Sequence, residues 1–200
     1  MTMTRRGIWL GLSAVLMMLV AVGVAFYQQQ SSPADGEPEG GPIELASTEG
    51  DFSLRQLEED QLAVVFFGYT WCPDVCPMGL AVVRQAMERL EPAQRRRVVP
   101  LMISLDPERD TLARLEEYLA FFGEAFIGAT ADPDELAPLA ERYGVVWRRV
   151  ETPDSAMAYT IDHSASLFLV DRDGEIQRRV LHSPTSGPLQ AALEQALAEG

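Results

Sequence analysis

The chain contains no lysine. Its 16 basic side chains are therefore all arginine, and they face 30 acidic ones, for a net charge of −14 at neutral pH. Phosphate backbones are bound by basic patches, so a chain this acidic argues against nucleic acid as a partner. The same charge suits a soluble domain held off an anionic membrane, and it serves solubility equally well. Cysteine and histidine are almost as scarce, with two of each. Chemistry that needs sulfur or imidazole is confined to Cys72, Cys76, His163 and His182. Internal repeats are absent. A length of 200 residues then allows one ordinary domain plus a tail or anchor.

Charge is missing altogether from residues 7–27, GIWLGLSAVLMMLVAVGVAFY. About 20 apolar residues span a ~30 Å hydrocarbon core as a helix. Trp9 and Tyr27 lie near the two ends, where amphipathic rings favour the membrane interface. Arg5 and Arg6 place residues 1–6 in the cytoplasm and the remainder on the far side. The expectation is a single-pass anchor in the inner membrane with a periplasmic domain. A cleaved signal peptide would carry a shorter apolar region and a small-x-small site, which Val24-Ala25-Phe26 does not supply. No cysteine follows the run, which excludes a lipoprotein anchor. Either way the domain is exported, where a dithiol is oxidised unless something keeps it reduced. Residues 28–42, QQQSSPADGEPEGGP, offer almost nothing to bury and read as a flexible tether.

From residue 43 to residue 200 the composition is globular. Residues 43–45 and 52–54 flank a glycine turn and predict a hairpin. The apolar runs 62–67 and 98–105 predict strands buried on both faces. Between them Leu80, Val83, Met87 and Leu90 recur at helical spacing, with Pro77 suited to a first turn. Residues 106–110 read as a turn and helix start, followed by Leu112, Leu115, Leu119 and Phe122 on a helix that Gly123 ends. Residues 126–129 predict a short strand. Asp132-Pro133 opens a helix that Gly144 caps. Residues 145–150 are expected to pair with 157–161, and 166–170 with 175–180 across a tight turn. Residues 189–197 predict a final helix. Strands alternating with helices and closed by a hairpin describe an α/β mixed sheet with helices on both faces. A dicysteine between the first core strand and its helix is the thioredoxin arrangement.

The stretch GYTWCPDVCP holds both cysteines. Cys72 falls in the loop and Cys76 in the first helical turn, where the dipole and free N–H groups favour anionic sulfur. Both sulfurs can point into one pocket, to hold a metal or to cycle between dithiol and disulfide. A purely structural bridge here would close too small a loop to remove much chain entropy. His163 lies before the strand 166–170, in the segment that faces the dicysteine in thioredoxin-like folds. His182 reads as a surface residue. Thioredoxin-like reductases place a cis-proline in that facing loop, but residues 163–166 read HSAS. A peroxiredoxin-type threonine is also out of place, since Thr70 is separated from Cys72 by Trp71 alone. Both departures favour a soft Cys2His site suited to copper. Zinc would want a fourth ligand, for which Asp74 and Asp162 are candidates. Asp162 is better explained as a loop residue or a hydrogen-bond partner of His163, and Asp74 as a helix-start carboxylate. Met78 reads as packing rather than a thioether ligand. Tyr69 and Trp71 are either a docking rim or ordinary edge packing.

The blocks FFGYTWCPDVCP, SLDPERDT, FIGAT, YGV and YTIDHSASLFLVDRDG resemble, in order and spacing, the Sco/SenC copper metallochaperones. The resemblance runs from about residue 43 to 198. It implies a thioredoxin-like fold with an inserted β-hairpin. It implies copper, Cu(I) or Cu(II), bound by Cys72, Cys76 and His163. It implies service to the dinuclear copper centre of cytochrome c oxidase subunit II, or to another exported copper protein. The alternative is a thiol–disulfide oxidoreductase that reduces the cysteines of the same exported target. Cys72 and Cys76 would then be the catalytic pair. No ligand role is carried onto residues 106–110, which a turn and a helix cap explain.

Overall fold

A computed structural model describes residues 17–18, 38–153 and 157–199. The span expected at residues 7–27 lies outside these apart from the helical Met17 and Met18. Among the described residues, no helix is long and apolar enough to cross a membrane.

The apolar runs form the centre of a seven-stranded mixed sheet. Its strands are β1 (Glu44–Ser47), β2 (Gly50–Ser53), β3 (Leu62–Gly68), β4 (Val98–Ser104), β5 (Ile127–Thr130), β8 (Leu167–Val170) and β9 (Ile176–Val180). They lie in the order β2-β1-β5-β4-β3-β8-β9. β3, β4 and β5 are parallel, and antiparallel pairs extend the sheet at both edges. β3 is buried at every position, as a strand covered on both faces must be. The remaining strands, β6 (Trp147–Glu151) and β7 (Tyr159–His163), form a separate two-stranded sheet.

Among the described residues, five α-helices complete the domain: α1 (Val75–Arg89), α2 (Pro92–Arg95), α3 (Leu112–Leu119), α4 (Pro133–Arg142) and α5 (Gly187–Glu199). Successive residues of β3 point to opposite faces and show which helix covers which. Phe66 meets α1 at Gly79, where an added Cβ would stand 3.3 Å from the ring. Phe67 meets Tyr143, at the end of α4, with ring centroids 5.6 Å apart. The expected mixed sheet with helices on both faces is therefore present, with an added hairpin.

Several boundaries differ from the sequence reading. α1 begins at Val75, two residues before Pro77; the proline still falls in the first turn, where its missing N–H has no intrahelical partner to lose. Thr111, not the 106–110 segment, caps α3 by accepting a hydrogen bond from the Arg114 N–H at 3.2 Å. The α2 turn was not anticipated; β6 and β7 lie one to two residues further along than the expected 145–150 and 157–161, whereas β2 begins at Gly50, two residues before the expected 52.

The described N-terminal segment joins the sheet through glycine. Gly40 and Gly41 have φ of 71° and 119°, conformations open to glycine. The Gly41 N–H donates to the Gly174 carbonyl at 2.8 Å, and the Tyr143 hydroxyl donates to the Gly41 carbonyl at 2.8 Å. Gly174 belongs to the β8–β9 turn. Because Val170 pairs with Ala63, that turn lies at the start of β3, and the cysteines lie beyond its end.

Candidate metal centre

The chain leaves the sheet at Gly68 and enters α1 seven residues later. A Cβ on Gly68 would lie 2.8 Å from the Phe66 ring and 3.0 Å from the Cys76 sulfur. With Gly79 also bare, α1 settles onto β3 and carries the Cys76 side chain into the core, where it is fully buried. Cys72 is half-buried on the loop, and both are free thiols. The Cys76 N–H donates to the Cys72 sulfur at 3.4 Å.

The two sulfurs share their protons unequally. Cys72 is drawn far below the ordinary thiol range, to about 3. Its thiolate accepts first from the Cys76 thiol, and also from the Asp74 and Cys76 N–H groups, against the opposing effect of burial. Cys76 is pushed up, first as the donor to Cys72, then by burial and by the Cys72 charge. The pair titrates as a unit, with its anion on the more accessible sulfur.

His163 is the last residue of β7 rather than a loop residue. Its Nε2 lies 3.4 Å from the Cys76 sulfur and its Nδ1 3.1 Å from the Ser164 carbonyl. A carbonyl only accepts, so Nδ1 carries the proton and Nε2 turns its lone pair toward sulfur. The ring stands edge-on to Phe66 and Tyr69, with centroids 6.2 and 6.1 Å away. A metal bonded at about 2.3 Å to sulfur and 2.0 Å to nitrogen holds those atoms roughly 3.5–3.7 Å apart, close to the observed separation. Among the described residues, no group of three or more His, Cys, Asp or Glu side chains is already closed to metal-binding distances.

Residues 106–110 do more than turn the chain. Asp110 is fully buried. It accepts from the Thr70 N–H at 2.9 Å, the Thr70 hydroxyl at 2.6 Å and the Ser104 hydroxyl at 2.7 Å. It thereby fixes the loop two residues before Cys72. Burial pushes its carboxyl above the usual range, and these hydrogen bonds pull the other way. Asp106 accepts from the Tyr159 hydroxyl at 2.7 Å and from Arg109. Arg109 in turn donates to the Met157 and Tyr159 carbonyls at 3.2 and 3.1 Å. One turn thus grips both the dithiol loop and the hairpin that ends in His163. The sequence reading missed this role; the only hint was a pair of aspartates flanking an arginine.

The other candidates separate cleanly. Asp162 pairs with Arg148 at 3.1 Å on the surface instead of supporting His163. Asp74 is the exposed N-cap of α1 and makes no side-chain capping bond. Met78 is partly buried, and His182 is exposed beyond β9. Tyr69 is buried, and its hydroxyl accepts from the Ile161 N–H at 3.3 Å, so it is packing. Trp71 is exposed.

Comparison with known proteins bears on this arrangement. The family described as SCO1/SenC matches residues 31–198. The chain belongs to that family. Over 136 residues it is 32% identical to an SCO2-like protein of Rickettsia conorii, covering 68% of this chain and 66% of that one. It is 34% identical over 131 residues to the mitochondrial SCO1 homolog 1 of Arabidopsis thaliana, covering 66% of this chain and 39% of that protein. The match thus spans about two thirds or less of these relatives. Among solved structures, Arabidopsis thaliana ScoI with copper bound matches at a TM-score of 0.71 and 28% identity, over 81% of this chain and 99% of that one. Bradyrhizobium japonicum ScoI with copper bound matches at 0.62 and 34% identity, over 78% and 96%. The family's solved relatives thus include copper-bound forms.

Proposed function

We propose that this protein is a copper metallochaperone that binds copper through Cys72, Cys76 and His163. It delivers the metal to, or prepares, the dinuclear copper centre of cytochrome c oxidase subunit II. The observation that carries this reading is the 3.4 Å approach of His163 Nε2 to the Cys76 sulfur, with the lone pair turned inward and a Cys72 thiolate alongside. Two soft thiolates and one imidazole suit copper. Family membership and the copper-bound relatives support the choice of metal. The half-exposed Cys72 gives a partner's ligands access to the bound ion. Residues 7–27 would anchor the chain in the inner membrane, with residues 43–200 in the periplasm.

The unequal protonation of the thiols favours one second activity on the same atoms. Cys72, as thiolate, is the attacking sulfur toward a partner disulfide, and Cys76 resolves.

Anaerobic copper titration of the reduced full-length chain, against His163→Ala, tests the first reading. It expects one copper per chain, with thiolate-to-copper absorption lost or shifted in the variant. Weak binding that ignores His163 would overturn it in favour of the thiol reaction.

A further inference from the structure

The distance between the dithiol and His163 is not set by the main sheet alone. β7 belongs to a separate two-stranded sheet, while the cysteines hang from β3 and α1. We infer that Arg109 is the positioning residue that holds His163 within reach of Cys76, by clamping the start of β7 to the turn that also fixes the dithiol loop. This inference rests on the function proposed above only for its copper consequences.

Two of the three guanidinium nitrogens of Arg109 carry the clamp, while Nη2 is buried without a hydrogen-bond partner among the described residues. Nη1 of Arg109 donates to two carbonyls, Met157 and Tyr159, at the entry to β7. Its Nε donates to Asp106, so the guanidinium is locked at both ends. The plane also lies 3.6 Å from the centroid of the Tyr159 ring, where cation and π-face attract. Arg109 is 5.6 Å from the centroid of the Trp71 ring and 5.9 Å from that of Tyr69, so the cation also lies within the outer range of attraction to both rings. Asp110, next in the chain, holds Thr70. His163 lies four residues beyond Tyr159 on the same strand, so a shift at the entry is passed along β7 to the imidazole. A planar fork with several donors makes this set of contacts; an ammonium does not.

The test uses the reduced, metal-free full chain with ¹⁵N-labelled histidine. Only two histidines occur, and the exposed His182 is an internal reference for an unconstrained imidazole. The wild type is expected to show His163 as the Nδ1–H tautomer, with Nε2 perturbed by sulfur. In Arg109→Lys and Arg109→Gln that signature collapses toward the His182 pattern, while thermal unfolding stays cooperative. Arg149→Ala is the control. It removes the arginine on the Tyr159 ring that pairs only with exposed carboxylates, and His163 is expected to stay unchanged. A His163 spectrum that survives both Arg109 variants overturns the inference, and so does one lost equally in Arg149→Ala. If the wild type binds copper, its affinity in Arg109→Lys should fall about 10–100-fold, as when a ligand's supporting partner is removed. If the wild type binds none, the proposed function fails while the imidazole spectrum still decides the clamp.

Discussion

Cys76 hangs from a helix pressed onto a strand that is buried at all seven positions. His163, by contrast, ends a two-stranded ribbon whose first strand, β6, is exposed or half-exposed throughout. The sulfur side is held by close packing that tolerates no added methyl group. The imidazole side rests on the buried Tyr159 and Ile161 of β7 and on polar contacts to Tyr69 and to the 106–110 turn. Such a division gives one donor fixed by core packing and one positioned by a more exposed ribbon. Under the function proposed above, such a site would take up and give up an ion without disturbing the core.

Removing what the two sides share is the most damaging test. Asp110→Ala leaves the Thr70 N–H, the Thr70 hydroxyl and the Ser104 hydroxyl buried without their acceptor. At about 1–3 kcal/mol for each unsatisfied group, the loss should reach at least 3 kcal/mol in denaturant unfolding. A loss below 1 kcal/mol would mean that the loop does not depend on this carboxylate. Gly68→Ala attacks the rigid side alone. It should cost about 1–3 kcal/mol through overpacking and displace Cys76, read by unfolding and by copper stoichiometry. An unchanged midpoint would show that the core side is softer than its contacts imply.

Proton distribution sharpens the contrast without damage to the fold. The Cys72 pKa is depressed, so its thiolate persists as pH falls from 8 to 5 and is lost only in stronger acid. Alkylation of the reduced chain should therefore label Cys72 rapidly at pH 5–6 and spare Cys76, as mass spectrometry would record. Equal labelling of both sulfurs at pH 6 would contradict the asymmetry. The smallest effect belongs to the ribbon's surface: Arg148→Ala breaks an exposed pair with Asp162 and should change stability by less than about 0.5 kcal/mol. Copper binding should be unaltered; a clear loss would assign Asp162 a part in the site.

The sheet and its main helices were legible because they are written in local patterns. Continuous apolar runs gave β3 and β4, and the spacing of Leu80, Val83 and Met87 gave α1. The cysteines and His163 were legible from their spacing and from family resemblance. The supporting network was not. Asp110 and Thr70 are 40 residues apart, and Asp106 and Tyr159 are 53 apart, so no window along the chain contains both partners. A buried aspartate in a turn looks, from sequence, like any other turn residue. Tyr69 posed the same difficulty, since a tyrosine beside a cysteine loop reads as rim or as packing. The Ile161 N–H that its hydroxyl accepts comes from the distant hairpin.

The glycine contact between residues 40–41 and the β8–β9 turn has a bearing on reach. It places residues 40–41 at one pole of the domain, while the sulfurs occupy the other. The length of β3, about 20 Å at 3.3 Å per residue, separates the two. Residues 40–41 and the dithiol loop thus sit at opposite ends of one buried strand, and neither crowds the other.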